Sequence, residues 1–430
     1  MSGDTCRLCR ADELVSVLDL GATPPCERFL TAAELDAAEQ TYPLHVRLCR
    51  RCLLLQIPAL ITPEDTFTEY AYFSSFSTSW VDHARRFVAD ATDRLGLDGD
   101  SLVVEVAAND GYLLQHVLDR KIPCLGIEPS TNVSAEAVRR GVPVVNDFLT
   151  EPLARRVREQ HGPADLVVAN NVWAHIPDVA GFTRALRTLV ADDGRISIEV
   201  HHALNLVADA QFDTVYHEHF QYWTVLAARG ALTAADLSLV DVELIPTHGG
   251  SIRFWAAPAE HAPTPSPRVG AVADAERAAG LDRVDGYAGL APRVSRIRRD
   301  LVRLLIDAAD AGLKVAGYGA PGKGQTLLNF CGIRPDLLPY LVDRNPYKHG
   351  RFTPGTRIPI RPVEQLYADR PDLVVVLPWN LREEITHQLA GIAEWGGRLV
   401  FAQPTLQIVD PATGAPTPLP TGLGASPAER

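Results

Sequence analysis

Short runs of apolar residues alternate with helical stretches through the middle of the chain. The runs are Leu102–Ala107, Cys124–Ile127, Val142–Val145, Leu166–Ala169 and Arg195–Val200. Each has the length of a buried strand, and the stretches between them have room for a helix. This alternation predicts an α/β domain with a doubly wound parallel sheet. Such sheets bind ligands beyond the carboxyl ends of their strands, near the point where the strand order reverses.

Two further strand-like runs, Leu237–Ile245 and Ser251–Pro258, flank the sequence THGGSIR. Gly249 and Gly250 favour a hairpin turn because glycine readily adopts left-handed backbone conformations. The same residues could instead form a loop that contacts a substrate. Residues 259–285 are rich in alanine and proline, which indicates a domain boundary.

A second α/β unit follows a long amphipathic helix that the pattern predicts over Pro292–Ala311. A strand at Lys314–Tyr318 leads into GAPGKGQT and a helix that runs to Cys331. Glycines beside Lys323 at a helix N-terminus are typical of a phosphate-binding loop. The sequence GYGAPG also matches G-x-G-x-x-G, so a dinucleotide loop is an alternative.

These patterns divide the chain into three folded domains and a tail. We expect an N-terminal domain at residues 1–65, a central α/β domain at 66–262 and a C-terminal α/β domain at 263–412. Residues 413–430 are rich in proline, glycine, alanine and threonine and are expected to be disordered.

Four of the seven cysteines form two C-x-x-C pairs, Cys6 with Cys9 and Cys49 with Cys52. Each pair can hold one side of a tetrahedral ion, so four thiolates predict a closed, structural zinc site. The alternative is a chance pairing of buried thiols. An odd number of cysteines with four in close pairs indicates a reducing compartment, and we expect a cytoplasmic protein.

The 430 residues carry a formal net charge of −12 at pH 7. A phosphate backbone requires a basic surface, so we expect no nucleic-acid partner. No apolar run reaches the length of a membrane span. The first residues, MSGDTCRLCR, lack the apolar core of a signal peptide. We therefore expect a small-molecule substrate, no membrane partner and a monomer as the favoured state.

Polar residues follow the ends of the central strands. The first strand runs into a tight turn within Glu105–Leu114, and the turn opens a helix. The second ends at Glu128, which is placed to accept hydrogen bonds from ribose hydroxyls. After the third, Asp147 could face an adenine amine and Phe148 could stack, and Asn170 ends the fourth. This run resembles class I S-adenosylmethionine-dependent methyltransferases, and the poor glycine loop makes NAD the less favoured ligand.

Residues 60–90 are rich in tyrosine, phenylalanine and serine. They could form an amphipathic helix that enters the central domain. They could also cover a ligand, with Tyr70, Tyr72 and Ser74 as polar contacts.

The stretch TVYHEHFQYW places Tyr216, His217, Glu218 and His219 in consecutive positions. A histidine exchanges protons near neutral pH, and a carboxylate beside it can fix its tautomer. The alternatives are a polar loop and a metal site of the His-x-His type. The concentration of titratable side chains favours a catalytic segment.

Taken together, these motifs resemble those of the S-adenosylmethionine-dependent sugar C-methyltransferases of antibiotic pathways. The likeness covers nearly the whole chain and rests on the paired C-x-x-C motifs, YFSSFSTSW, EVAANDG, NNVWAHIPD, YHEH, THGGSIR, GYGAPGKGQTLLN and VDRNPYKHGRFTPG. The resemblance implies a structural zinc, a Rossmann-like methyltransferase domain that holds S-adenosylmethionine, and a dTDP-linked sugar between the middle and C-terminal domains. The family more usually has glycine at Ala107, which leaves the geometry of that turn open.

The pattern and the resemblance together assign roles to individual residues. The catalytic set that the resemblance implies is His219 as the base, with Tyr216, Glu218 and His175. The expected cofactor contacts are Tyr72, Glu105, Ala107, Asn109, Gly111, Glu128, Pro129, Asp147, Phe148 and Asn170. The expected substrate contacts are Tyr222, His248, Ser251, Arg253, Tyr318, Gly319, Lys323, Gly324 and Asn380. The expected zinc ligands are Cys6, Cys9, Cys49 and Cys52.

The chemistry that the resemblance implies is methylation at carbon. A 4-keto group acidifies the neighbouring C–H bond, a base removes that proton, and Tyr216 or His175 stabilises the enolate oxygen. The resemblance favours carbon 3, with carbon 5 as the alternative. Three other functions remain alternatives: a nucleic-acid methyltransferase, an NAD-linked sugar oxidoreductase that uses GYGAPG, and a non-catalytic ligand sensor.

Overall fold

The structure, a computed structural model, describes residues 5–63 and 73–418. Its strands are β1 Leu14–Thr23, β2 Tyr42–Cys49, β3 Leu55–Gln56, β4 Val103–Val106, β5 Cys124–Ile127, β6 Val144–Val145, β7 Ala164–Asn170, β8 Val190–His201, β9 Gln221–Tyr222, β10 Leu237–Ile245, β11 Ser251–Pro258, β12 Val315–Tyr318, β13 Leu341–Val342, β14 Ile360–Arg361, β15 Leu373–Val376, β16 Arg398–Phe401 and β17 Gln407–Val409. Its α-helices are α1 Thr78–Leu95, α2 Leu114–Leu118, α3 Thr131–Arg139, α4 Glu151–His161, α5 Val179–Leu189, α6 Ala203–Ala208, α7 Val225–Thr233, α8 Pro267–Ala278, α9 Leu290–Asp310, α10 Gly322–Cys331, α11 Glu364–Asp369 and α12 Arg382–Gln388.

Residue contacts group the chain into two compact units. The first unit comprises Met1–Val15, Leu48–Leu204 and Phe220–Val284. The second unit comprises Ser16–Arg47, Asn205–His219 and Asp285–Arg430. The domain boundaries expected from the sequence stay a prediction.

The first unit is built on a seven-stranded sheet of order β10-β11-β8-β7-β4-β5-β6. Strands β4 to β8 pair in parallel, as the alternating pattern predicts. Strands β11 and β10 add to one edge in antiparallel pairs. The chain passes from β4 to β5 on one side and later to β7 on the other, so the strand order reverses between β4 and β7. The carboxyl ends of these strands are the expected position of a ligand.

Apolar side chains cover both faces of this sheet. Val104 and Val106 of β4 belong to one core cluster with Trp173. Val103 belongs to the other cluster, with Phe87 of α1. Because neighbouring residues of a strand point to opposite faces, this division shows a sheet buried on both sides, as in other parallel sheets.

The second unit contains a six-stranded sheet of order β14-β13-β12-β15-β16-β17. Its strands pair in parallel except for β17, which is antiparallel to β16. The order reverses between β12 and β15, which predicts a second ligand position at their carboxyl ends. The α/β fold class expected from the sequence is confirmed.

Local sequence signals correspond to defined elements in the structure. The turn between β10 and β11 has Gly249 and Gly250 at φ 90° and 113°, as a glycine hairpin turn requires. The alanine- and proline-rich stretch 259–285, which the sequence indicates as a domain boundary, contains helix α8, and the boundary stays a prediction. Pro267 stands at the start of this helix, where no backbone N–H is needed.

Residues 419–430 of the expected tail lie outside the described residues. Among the helices of the described part of the chain, none combines the length and the apolar character needed to cross a membrane.

Candidate active site

The turn after β4 has the backbone conformation of a glycine-rich loop, although only one of its three residues with positive φ, Gly111, is a glycine. Ala107, Asn109 and Gly111 have φ values of 57°, 50° and 78°. This conformation suits glycine and costs other residues about 1–2 kcal/mol each. A Cβ added to Gly111 would lie 2.9 Å from Cγ2 of Val142, so a side chain does not fit there. The turn therefore keeps the glycine-loop geometry at Ala107, at the expense of backbone strain.

Three buried carboxylates surround this turn. Glu105, Asp110 and Glu128 are 1%, 0% and 4% exposed. The Glu128 carboxylate accepts the backbone N–H groups of Asn109 at 2.9 Å and Ser130 at 2.8 Å. Burial raises the pKa of Glu105 well above its usual range, and the charges of Glu128 and Asp110 raise it further. The role of Glu128 on the ribose stays a prediction.

The other expected cofactor contacts follow neighbouring strands. Asn170 ends β7, and its Oδ1 is buried with no hydrogen-bond partner among the described residues. The exposed Asp147 and the half-buried Phe148 follow β6, and Pro129 follows β5. Buried carboxylates and an open amide oxygen suit a ligand that carries hydroxyl and ammonium donors, as S-adenosylmethionine does.

A short 3-10 turn just before α1 is tied to the same loop. The backbone N–H of Ser74 donates to Oδ1 of Asn109 at 2.9 Å. The hydroxyl of Ser75 donates to Oδ2 of Asp110 at 2.5 Å. The amphipathic helix that was one alternative for this region is α1. Tyr72, the expected contact just upstream, lies outside the described residues.

The cysteines of the two C-x-x-C pairs converge in the first unit. Their four Sγ atoms lie within 4.8 Å of one another, with 3.5 Å between Cys6 and Cys52 and 3.5 Å between Cys9 and Cys49. Tetrahedral zinc with Zn–S bonds of about 2.3 Å requires sulfur atoms about 3.8 Å apart. Gln56 Nε2 lies 3.2 Å from Sγ of Cys6 and helps to orient that ligand. The geometry fits a closed zinc site.

The expected catalytic stretch lies in the second unit. The phenol oxygen of Tyr216 lies 2.8 Å from Nε2 of His219, and Nδ1 of His219 lies 3.1 Å from the carbonyl oxygen of Thr214. Tyr216 and His219 are half-buried, whereas His217 and Glu218 are buried. The sequence suggests that the neighbouring carboxylate of Glu218 orients the imidazole. In the structure, the Thr214 carbonyl contacts the imidazole instead.

The two buried members of the stretch differ in character. His217 Nε2 lies 3.0 Å from the carbonyl oxygen of Tyr42, and burial lowers the pKa of His217. Burial raises the pKa of Glu218 to about 8, and the charge of Glu27 adds to this effect. At pH 7 Glu218 is therefore mainly a neutral acid that can donate a hydrogen bond. In the described part of the chain, the group of three or more metal-binding side chains that lie together is the cysteine cluster.

Helix α10 supports the catalytic stretch. The Thr326 hydroxyl donates to the carbonyl oxygen of Val215 at 2.8 Å. Phe212 packs edge-on against Phe330 of α10, with ring centroids 5.3 Å apart. The same helix begins with the expected substrate loop, GAPGKG, so one element of the second unit carries both features.

Two carboxylates lie against the backbone of the GAPGKG loop. The N–H of Ala320 donates to Oδ2 of Asp343 at 2.6 Å. A Cβ added to Gly322 would lie 2.7 Å from Oε1 of Glu27. A phosphate-binding loop leaves its amides open for the anion, so these neighbours shift the expected anion contact onto Lys323.

Lys323 and Asn380, two of the expected substrate contacts, lie side by side in the second unit. Nζ of Lys323 donates to Oδ1 of Asn380 at 2.8 Å. Gly319 has φ 82° and begins the turn, Gly324 is buried in α10, and Tyr318 is buried at the end of β12. These residues lie at the β12–β15 reversal, where the fold itself predicts a ligand. Their contacts with substrate stay a prediction.

The remaining expected residues belong to the first unit. His175 is half-buried and ends a 3-10 turn after β7. Tyr222 in β9 and Ser251 in β11 are 3% and 1% exposed. The side chain of His248 lies outside the described residues. Their proposed roles stay predictions.

Arg253 belongs to a charge network that the sequence analysis missed. Its guanidinium lies 2.7 Å from Oε2 of Glu199 and 2.9 Å from Oε2 of Glu243. His83 of α1 approaches the same Glu199 oxygen at 2.9 Å. Two carboxylates therefore neutralise Arg253 within the protein, although its contact with substrate stays a prediction. The available signal was Glu199 itself, an acid inside the apolar strand ISIEV.

Family models match the chain in three consecutive stretches. The model described as "Putative zinc binding domain" matches residues 6–67, "Methyltransferase domain" matches 80–242 and "C-methyltransferase C-terminal domain" matches 246–404. This order agrees with the zinc-binding, methyltransferase and C-terminal parts expected from the sequence.

C-methyltransferase NovU of Streptomyces niveus is 33% identical to this chain over 406 residues, which covers 94% of this chain and 97% of NovU. The chain therefore belongs to the S-adenosylmethionine-dependent C-methyltransferase family, and the resemblance drawn from its motifs is confirmed. S-adenosylmethionine and zinc are its cofactors, and the sites described above fit both.

Solved methyltransferases show a remote likeness. The magnesium protoporphyrin IX methyltransferase of Synechocystis, with bound S-adenosylmethionine, is 17% identical with a TM-score of 0.31, covering 41% of this chain and 76% of its own. The O-methyltransferase NcsB1 from neocarzinostatin biosynthesis, also with S-adenosylmethionine, is 17% identical with a TM-score of 0.34, covering 43% and 57%.

Proposed function

We propose that this enzyme methylates a carbon next to the ketone of a dTDP-linked 4-keto deoxysugar in antibiotic biosynthesis, with carbon 3 favoured. Family membership and the motif set support the reaction class. The observation that carries the proposal is the contact between Tyr216 and His219, because C-methylation next to a ketone requires a base for the C–H proton and a hydrogen-bond donor for the enolate oxygen.

His219 has the hydrogen bonds of a base. A carbonyl oxygen only accepts hydrogen bonds, so Nδ1 of His219 must donate to the Thr214 carbonyl, and Nε2 carries the lone pair in the neutral ring. The Tyr216 hydroxyl then donates to Nε2. His219 is thus held as the tautomer that can take a proton at Nε2 once the substrate C–H replaces the phenol there.

Deprotonation of a carbon next to a ketone needs simultaneous stabilisation of the enolate oxygen, because a neutral imidazole is too weak a base alone. Tyr216, released from Nε2, can donate its hydroxyl to that oxygen. Glu218, neutral near pH 7, is a further donor in the same stretch. S-adenosylmethionine, when bound, supplies the electrophilic methyl group.

The nucleotide part of the substrate is assigned to the second unit. Lys323 is the cation of the GAPGKG loop, and no carboxylate lies within 4.0 Å of its Nζ among the described residues. A lysine without a direct ion pair can meet a diphosphate, and the β12–β15 reversal is a usual ligand position.

Mass spectrometry tests this function. The full chain is incubated with S-adenosylmethionine and a panel of dTDP-4-keto deoxysugars, with and without a 3-amino group. We expect one methyl group on a keto sugar, and NMR of the product distinguishes carbon 3 from carbon 5. dTDP-glucose, which has no ketone, is the matched control and should remain unmethylated.

Other outcomes would redirect the proposal. A methyl group on oxygen or nitrogen, or methylation of dTDP-glucose, would contradict an enolate route. Reduction of NAD with these sugars, without methyl transfer, would favour the oxidoreductase alternative.

A further inference from the structure

Asp213 is a buried acid just before the catalytic stretch. It lies in the 3-10 turn Phe212–Thr214 and is 0% exposed. Its Oδ2 accepts the indole N–H of Trp379 at 2.7 Å. The Gln403 amide lies close enough to lower the pKa of Asp213, yet no described residue reaches Oδ1 with hydrogen-bonding geometry. Burying a carboxylate with an unsatisfied oxygen is unfavourable unless a nearby charge compensates it.

Lys323 carries the charge that compensates Asp213. Trp379 connects the two, because its N–H meets Asp213 and its ring lies 5.3 Å from Nζ of Lys323. Desolvation lowers the pKa of Lys323, and the charge of Asp213 works against that decrease. Nζ also donates to Asn380 at 2.8 Å, so its position is defined. The ammonium group of Lys323 and the carboxylate of Asp213 therefore interact electrostatically without a direct hydrogen bond.

We propose that Asp213 is a positioning residue that partly neutralises Lys323 and thereby weakens the hold of the second unit on a sugar-nucleotide diphosphate. This inference rests on the proposed function in one respect, the assignment of Lys323 to the diphosphate. A weakened hold allows a methylated nucleotide to leave, because product and substrate carry the same diphosphate.

The electrostatics give the direction of the effect. An ionised Asp213 repels an incoming diphosphate and compensates Lys323, whereas a protonated Asp213 does neither. Burial raises the pKa of Asp213 to about 6, with Lys323 opposing the rise. Of the groups from packed elements that act on Asp213, Lys323 is charged, while Trp379 and Gln403 are neutral. Diphosphate affinity should therefore increase as the pH falls through about 6.

Calorimetry with dTDP-glucose tests this, because its diphosphate diester does not titrate in the relevant range. Asp213→Asn keeps an acceptor for Trp379 and removes the charge. At pH 7.5 it should bind dTDP-glucose about tenfold more tightly than the wild type, the effect of one nearby charge. The affinity of the variant should also stay constant between about pH 5 and 8. Asp336→Asn, an exposed acid before β13 in the same unit, is the matched control and should leave the affinity unchanged.

A second variant keeps the test valid if Asp213→Asn does not fold. Trp379→Phe removes the N–H donor to Asp213 and keeps an aromatic face for Lys323. The pKa of Asp213 should rise, so the step in affinity should move to higher pH. Lys323→Met should abolish both tight binding and the step.

Two results would overturn the inference. If the wild type binds dTDP-glucose but Asp213→Asn has equal or weaker affinity, or keeps the same pH step, Asp213 has no such role. If the wild type does not bind dTDP-glucose at all, the proposed substrate class fails, and the role of Asp213 fails with it.

Discussion

Nε2 of His202 lies 2.8 Å from Oε1 of Glu276, and both side chains are almost completely buried. The same carboxylate accepts the backbone N–H groups of Val225 at 2.7 Å and Leu226 at 3.1 Å. These amides open helix α7, so Glu276 satisfies donors that a helix N-terminus otherwise leaves free. Glu276 of α8 therefore connects the stretch 259–285, which the sequence indicates as a boundary, to the buried interior of the first unit.

We predict one zinc ion per chain on Cys6, Cys9, Cys49 and Cys52. Cys49→Ser should lose the metal and destabilise the N-terminal region, because zinc binding is coupled to folding there. Metal analysis and thermal unfolding measure both effects. Cys331→Ser, a buried cysteine outside the cluster, is the control and should keep its zinc. Absence of zinc from carefully prepared wild-type protein would refute the assignment.

Ala107→Gly should stabilise the protein. Ala107 has φ 57°, which glycine adopts without a clash, and the expected gain is about 1 kcal/mol in the free energy of unfolding. Denaturant unfolding measures it. Ala135→Gly, on the exposed face of α3, should lose about the same amount, because glycine is a poor helix former. A loss of stability for Ala107→Gly would show that the left-handed turn is not strained.

Glu128→Ala should weaken S-adenosylmethionine binding by roughly 1.5–3 kcal/mol, the range for hydrogen bonds to a charged group. Calorimetry measures this affinity. Thermal unfolding of the same variant measures how much stability is lost because two backbone amides lose their acceptor. Glu394→Ala, an exposed acid in the second unit, controls for the change in net charge. An unchanged affinity would remove Glu128 from the ribose site.

His219→Asn should bind both ligands but lose most turnover. Loss of a general base costs about a hundredfold to ten-thousandfold in rate. In heavy water the wild type should exchange the sugar proton next to the ketone for deuterium, if proton removal is reversible, and the variant should exchange it much more slowly. His161→Asn on the exposed end of α4 is the control. A variant that still exchanges the proton but cannot methylate would place the base elsewhere, with His217 and Tyr216 as the next candidates.

Glu218 should make stability fall as pH rises. Its folded pKa of about 8 lies above the usual value of 4.5, so the folded state holds a proton that the unfolded state has lost between these values. Unfolding free energy should therefore decrease from about pH 4.5 to 8. Glu218→Gln, neutral at every pH, should be more stable than the wild type at pH 8 by roughly 2–4 kcal/mol and similar to it at pH 4.5. Urea unfolding at both pH values measures this, with exposed Glu394→Gln as the control; equal stabilities at pH 8 would argue that Glu218 is ionised.

Much of the architecture followed from local pattern. Strands β10 and β11 have the predicted bounds because a strand-like run on each side of a Gly-Gly turn depends on nearby residues only. The zinc site could be predicted because the spacing within each C-x-x-C pair is a local feature of the sequence. The likeness of the motifs extended this to the cofactor and the reaction class, which family membership confirms.

Other features depend on the folded path of the backbone. It brings the Thr214 carbonyl and the Tyr216 hydroxyl to the two ring nitrogens of His219, although both residues are close to His219 in the sequence. The pairing of Asp213 with Lys323 joins positions more than a hundred residues apart. Side-chain identity determines what a group can donate or accept, but burial and partners determine its charge, and those arise only when the chain has folded.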